Sequence, residues 1–158
     1  MTSESCRCEE RCDEAISGRR VTPIIIIHSI DHAVGALAAA ARVGRPIVLV
    51  SAPEAGGYVG PGWFAALMRE AREAVPKARF AALLDCGDSA GAALAAIRAE
   101  VEGIVFTGGG DVARRLADIA RQHGVRLETE RPPAGLDLGD VFFASREEVE
   151  RRCAEFLG

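Results

Sequence analysis

The chain has 158 residues, a length that suits one domain, and its 49% hydrophobic and 27% charged residues are the balance of a globular protein rather than a disordered one. The net charge of −4 and the scattered arginine pairs Arg19–Arg20, Arg114–Arg115 and Arg151–Arg152, interleaved with acids, build no basic stripe. Nucleic acid is therefore not an expected partner.

The first segment, residues 1–20, is polar and acidic where a signal peptide is basic and then apolar, so it reads as a flexible arm before a single α/β domain over residues 21–158. No apolar run approaches the roughly 20 residues that span a bilayer, and a cytoplasmic location without membrane contact is the expectation. Five cysteines, three of them in the first twelve residues, are an odd set that argues against a disulfide framework.

Beyond the arm, strands and helices alternate. Pro23 to Ile27 is a β-branched strand, followed by an Ala-rich helix from about Asp31 to Val43. Pro46 to Val50 is the second strand, and the loop from Ser51 to Gly62 leads into a helix with Trp63, Phe64, Leu67, Met68, Ala71 and Val75 on one face. Arg79 to Leu84 is the third strand, and its helix carries Ala90, Leu94, Ile97 and Val101. Gly103 to Phe106 is the fourth, with a helix through Val112, Leu116 and Ile119 that stops at Gly124. Val125 to Leu127 starts a fifth strand. A Pro/Gly segment from Arg131 to Gly139 precedes a short apolar piece, Val141 to Phe143, and a last helix whose Ser145 and Glu148 have capping-box spacing.

Strands that are apolar throughout are those buried on both faces of a parallel sheet. About five parallel βα units are therefore predicted, as a half barrel or as a flavodoxin-like open sheet with flanking helices. A half barrel leaves strand edges unpaired, so a homodimer is expected.

Several segments carry a family resemblance. Pro46-Ile-Val-Leu-Val-Ser-Ala-Pro-Glu-Ala-Gly-Gly-Tyr-Val-Gly60 is similar to the second strand and loop of class II fructose-bisphosphate aldolases. Leu83-Leu-Asp-Cys-Gly-Asp-Ser89 is similar to their "LDHG-S" strand end. Ala96 to Ala99 and Gly103 to Thr107 fall where the family has "AI-AG" and "SVMIDGS", and Arg121 to Glu130 resembles "AH-HGVSVEAE". The order holds from about Ile24 to Glu130. The resemblance implies the N-terminal part of an aldolase-type barrel, degenerate and truncated.

The departures bear on activity. Asp85 matches the family's catalytic acid/base, but Cys86 replaces the zinc-binding His beside it, and Thr107 stands in place of the Asp of "MIDGS". Glu130 matches the Glu of "VEAE", and the family's two later zinc ligands have no counterpart. Zinc catalysis needs three protein ligands and an open position. Nor does a Schiff base fit, because the only lysine, Lys77, lies at the wrong end of its strand. Zinc-dependent aldolase activity is not expected.

Four groups of residues remain candidates. Asp85 and Cys86 end the third strand, where a thiolate beside a carboxylate can act as nucleophile or bind a metal; the plainer alternative is a buried Cys with Asp88 as helix cap. Thr107, Gly108, Gly109 and Gly110 can present N–H groups to an anion, or form a tight turn capped by Asp111. His28, Ser29 and His32 end the first strand and Ser51 the second, either as ligand contacts or as a helix cap with solvated histidines. Cys6, Cys8 and Cys12 form a C-x-C-x3-C set that suits zinc or an iron–sulfur cluster, or are incidental. The leading reading is a non-catalytic or regulatory module for a small anionic or phosphorylated molecule. The alternatives are a lyase-like enzyme using Asp85 and Cys86, and a metal-handling protein.

Overall fold

Proline 23 leads into β1, Ile24–Ile27, whose four β-branched side chains leave little choice but an extended backbone. A computed structural model describes residues 21–133 and 135–158; the predicted arm, with Cys6, Cys8 and Cys12, lies outside the described residues. Helix α1, Ile30–Val43, opens on Ser29, whose hydroxyl accepts the His32 N–H, and closes on Gly44 at φ 71°. Strand β2 is Ile47–Ser51. The loop predicted after it contains a short helix, α2 (Ala55–Tyr58), before α3 (Pro61–Ala74), which starts on a proline.

Strand β3, Phe80–Asp85, is buried throughout, and α4, Ala90–Arg98, is capped by Ser89 rather than by Asp88. Strand β4, Gly103–Val105, leads to α5, Gly110–Gln122, whose cap is Gly109; Asp111 sits in its first turn. After β5, Arg126–Glu128, the Pro/Gly segment holds a further strand, β6, Leu136–Asp137. Val141–Phe143 is not a strand: a 3-10 turn, Gly139–Val141, leads there into α6, Arg146–Leu157.

All six strands are parallel, in the order β5-β4-β3-β2-β1-β6. The expected five are thus joined by a sixth. Gly135 and Leu138 donate N–H bonds to Ile24 and Ile26, on the free side of β1. Strands β1 to β5 stand in sequential order, which is not the flavodoxin order with its reversal beside the first strand. The helices gather on one face, against Ile25, Ile27, Ile47, Leu49, Ala82, Leu84 and Ile104. The other face is a small cluster of strand side chains: Val48, Val50, Ala81, Leu83 and Val105, with Ile24 and Ile26 against it. One-sided helices over sequential parallel strands make an open half barrel, with β5 and β6 as its edges.

Helix α6 packs along α1, which presents small residues to it. A Cβ at Gly35 would stand 2.8 Å from a Val149 methyl, so glycine sets the helix separation. Among the described residues no helix is long and apolar enough to cross a membrane.

Candidate functional site

In a parallel sheet the C-terminal strand ends share one rim, and ligands bind there. Asp85 closes β3 at that rim with 2% of its side chain exposed. Its Oδ1 accepts the N–H of Glu54 at 3.0 Å and of Gly87 at 2.8 Å, and Arg131 donates to Oδ2 at 2.6 Å and Oδ1 at 3.3 Å. The turns that aim these donors need left-handed backbone, at Gly87 (φ 55°) and at Glu54 (φ 62°). Three N–H groups thus converge on Oδ1 and one on Oδ2, so the carboxylate is held by two backbone amides and a guanidinium. Asp85 shares its face of the sheet with Leu83, so the β5–β6 connection that carries Arg131 crosses on the strand-only side.

Cys86 is 1% exposed. Its Sγ donates weakly to the Leu84 carbonyl, and a Cβ at Gly56 would lie 2.8 Å from it. Gly56 is thus packed against this sulfur. Burial, then the neighbouring Asp85 carboxylate, push the Cys86 thiol up to about 12. Nucleophilic attack and metal ligation both need a thiolate, which this environment suppresses. Cys86 and the equally buried Cys153 are expected to resist iodoacetamide at pH 8 in the native protein and to react on unfolding, as peptide mass spectrometry would show. Rapid native labelling of Cys86 would return it to the candidates for nucleophile.

The zinc of the class II aldolases finds no fit here. Asp85 is already paired with the Arg131 guanidinium, Cys86 is a sealed thiol, and among the described residues no three His, Cys, Asp or Glu side chains gather as a ligand set.

The open part of the rim lies over β1 and β2. A cavity of about 170 Å³ is lined by Ile27, His28, Ser29, Ser51, Ala52, Ala55, Tyr58, Val59, Trp63, Phe64 and Phe142. His28 Nε2 meets Asp137 Oδ1 at 2.7 Å, and the Gly139 N–H also donates to that oxygen, at 2.8 Å. Burial draws the Asp137 carboxyl upward, but the Gly139 N–H and His28 outweigh it and hold the group below its ordinary value. The carboxylate is thus ionised and places the ring proton on Nε2.

His32 is a core residue rather than a rim contact: it is 1% exposed, and burial lowers its pKa. Its Nδ1 accepts the His28 N–H, while Nε2 has no partner of hydrogen-bonding geometry, although the Val141 backbone is near enough to oppose the shift.

The candidate residues therefore come together only in part. His28, Ser29 and Ser51 share the cavity. Asp85 touches it only through Ser51, whose Oγ accepts the Asp85 N–H at 2.9 Å. Thr107 is tied to Gly87 by a backbone bond, Gly109 and Gly110 are exposed, and a Cβ at Gly108 would strike the Phe106 ring. Glu130 is exposed beyond β5. Sequence reasoning missed Asp137 and Arg131. The alternation in Gly135-Leu-Asp-Leu-Gly139, apolar residues around one acid and glycines at both ends, was the available signal for a short strand carrying Asp137.

No family model and no curated protein matches the chain. Among solved structures, it is similar to one assigned as a fructose-1,6-biphosphate aldolase from Coccidioides immitis, with a TM-score of 0.55 and 17% sequence identity. The match covers 67% of this chain and 44% of that one, so this chain spans less than half of that protein's length. At such identity the likeness shows an aldolase-like α/β fold and nothing about chemistry.

Proposed function

We propose that this chain is a small-molecule-binding module on a degenerate, class II aldolase-type half barrel, holding its ligand over β1 and β2 without aldol chemistry at Asp85 and Cys86. One observation carries the reading. The cavity at the rim lies beside His28, Ser29 and Ser51, while the carboxylate and thiol that the resemblance would make catalytic lie outside it, the one paired with Arg131 and the other sealed. Fructose 1,6-bisphosphate is expected to give no triose phosphate above background, with or without added zinc, in a coupled assay. Turnover abolished by Asp85→Asn would overturn the non-catalytic reading.

An anionic ligand at the Thr107–Gly110 turn is the second reading. It is favoured by the start of α5, where Gly109 caps the helix without a side-chain bond and leaves N–H groups open. The Asp111 carboxylate in that first turn, paired with Arg114, opposes it. Protection of the turn's amides by inorganic phosphate in NMR titration would support this site, and no shift would discard it.

A homodimer across the open edges belongs to the same proposal. Strands β5 and β6 offer only three and two residues for pairing, short edges of the kind that limit association. Light scattering across a concentration series decides it: a monomer mass throughout would remove the dimer from the reading.

A further inference from the structure

We propose that the ligand of the rim cavity is a neutral, single-ring molecule bearing a hydroxyl group, held by that hydroxyl between His28 and Ser29. The inference rests on the cavity being the binding site and adds the chemical class of its occupant.

Size comes first. A cavity of about 150 Å³ with apolar walls holds one benzene molecule. The rim cavity, at about 170 Å³, is matched to one ring and not to two. Its walls include Tyr58, Trp63, Phe64 and Phe142, whose faces and edges suit an aromatic or flat aliphatic ring.

Charge comes next. Among the described residues His28 is the only side chain in the lining that can carry a charge near neutral pH, and it is already paired with the Asp137 carboxylate. An ionised ligand would lose water here and meet no free counter-charge, which disfavours carboxylates, phosphates and amines.

The remaining polar capacity selects the functional group. Ser51 Oγ donates its only proton to the Ala52 carbonyl and accepts from the Asp85 N–H. The Tyr58 hydroxyl donates to the Pro53 carbonyl. His28 Nε2 is taken by Asp137, and among the described residues no hydrogen bond reaches its Nδ1, which is an acceptor in the neutral tautomer with its proton on Nε2. Ser29 Oγ accepts the helix-cap bond, which leaves its proton to give. His28 Nδ1 and the Ser29 proton thus put an acceptor and a donor on adjacent residues, with the Trp63 indole N–H as a second donor in the lining. A hydroxyl donates and accepts through a single oxygen, and so uses both.

The experiment uses the full chain and its only tryptophan, Trp63, which lines the cavity and reports binding by fluorescence. Phenol, toluene, benzoate and inorganic phosphate are titrated separately. Phenol is expected to bind about tenfold tighter than toluene, the effect of one or two buried hydrogen bonds, with benzoate and phosphate weaker still. His28→Phe should remove the preference for phenol and keep toluene binding. Asp137→Asn, which loosens the tautomer, should weaken phenol several-fold and leave toluene unchanged, and it serves if His28→Phe fails to fold. Equal affinity for toluene and phenol would overturn the hydroxyl assignment while leaving the cavity as a binding site. Tighter binding of benzoate would overturn the neutral class. No response to any of the three aromatic probes would overturn both this inference and the cavity reading beneath it.

Discussion

Replacing Asp85 by alanine is expected to lower the unfolding free energy by about 2–4 kcal/mol, because the carboxylate organises the rim from within. Its loss would strip the Gly87 and Glu54 N–H groups of their acceptor. Each buried donor left unsatisfied costs about 1–3 kcal/mol, less for Glu54, whose surroundings are wetter. Arg131 adds little to this cost, since 43% of its side chain already meets water. Asp85→Asn keeps one oxygen for the two N–H groups but turns an amide toward the guanidinium, so a smaller loss is expected. Urea midpoints at unchanged slope would measure both. A fully stable Asp85→Ala protein would show that the network is incidental, and a stable variant that had lost an enzymatic activity would restore Asp85 to catalysis.

Cutting the chain after Gly139 is expected to abolish cooperative unfolding. Helix α6 contributes Val149, Cys153 and Leu157, each 0% exposed, to the core shared with α1. Burying a Val or Leu side chain is worth about 1.5–3 kcal/mol, so Val149 and Leu157 together supply about 3–6. Removing the helix also uncovers the small residues of α1 and takes away the Leu157 carbonyl that Arg45 binds. Total stabilities of about 5–15 kcal/mol leave no margin for such a loss. Circular dichroism melts of the truncated chain should lack a sigmoidal transition. A sharp melt close to that of the full chain would show that β1 to β5 fold without their C-terminal flank.

How much of this was legible beforehand varies with the range of the interactions. The alternation of strands and helices was readable because apolar runs such as Ile24–Ile27 and Leu83–Leu84 and the three-and-four spacing of Phe64, Leu67, Met68 and Ala71 are local patterns. A cap was readable at Ser145, where one hydroxyl has capping-box spacing, and misread where two polar residues competed, as at Asp88 and Ser89. Parallel strands put their C-terminal ends on one rim, so the candidate residues His28, Ser29, Ser51 and Asp85 were found at the correct edge.

Long-range pairing decided the rest. Strand β6 has two residues, too few for any propensity to mark, and exists because β1 offers it Ile24 and Ile26 carbonyls from more than a hundred residues away. With β6 comes Asp137, and so the orientation of His28. Arg131 likewise reaches Asp85 only because the chain crosses the whole sheet between β5 and β6, which pairs the buried carboxylate with a guanidinium. The sequence by itself determined the βα repeat, the rim and the polar residues along it, since these follow from local periodicity and strand direction. Which of those residues remain free to meet a ligand was settled by partners distant in the chain, because a hydrogen-bonding group is spent or spare only once the fold has brought its neighbours to it.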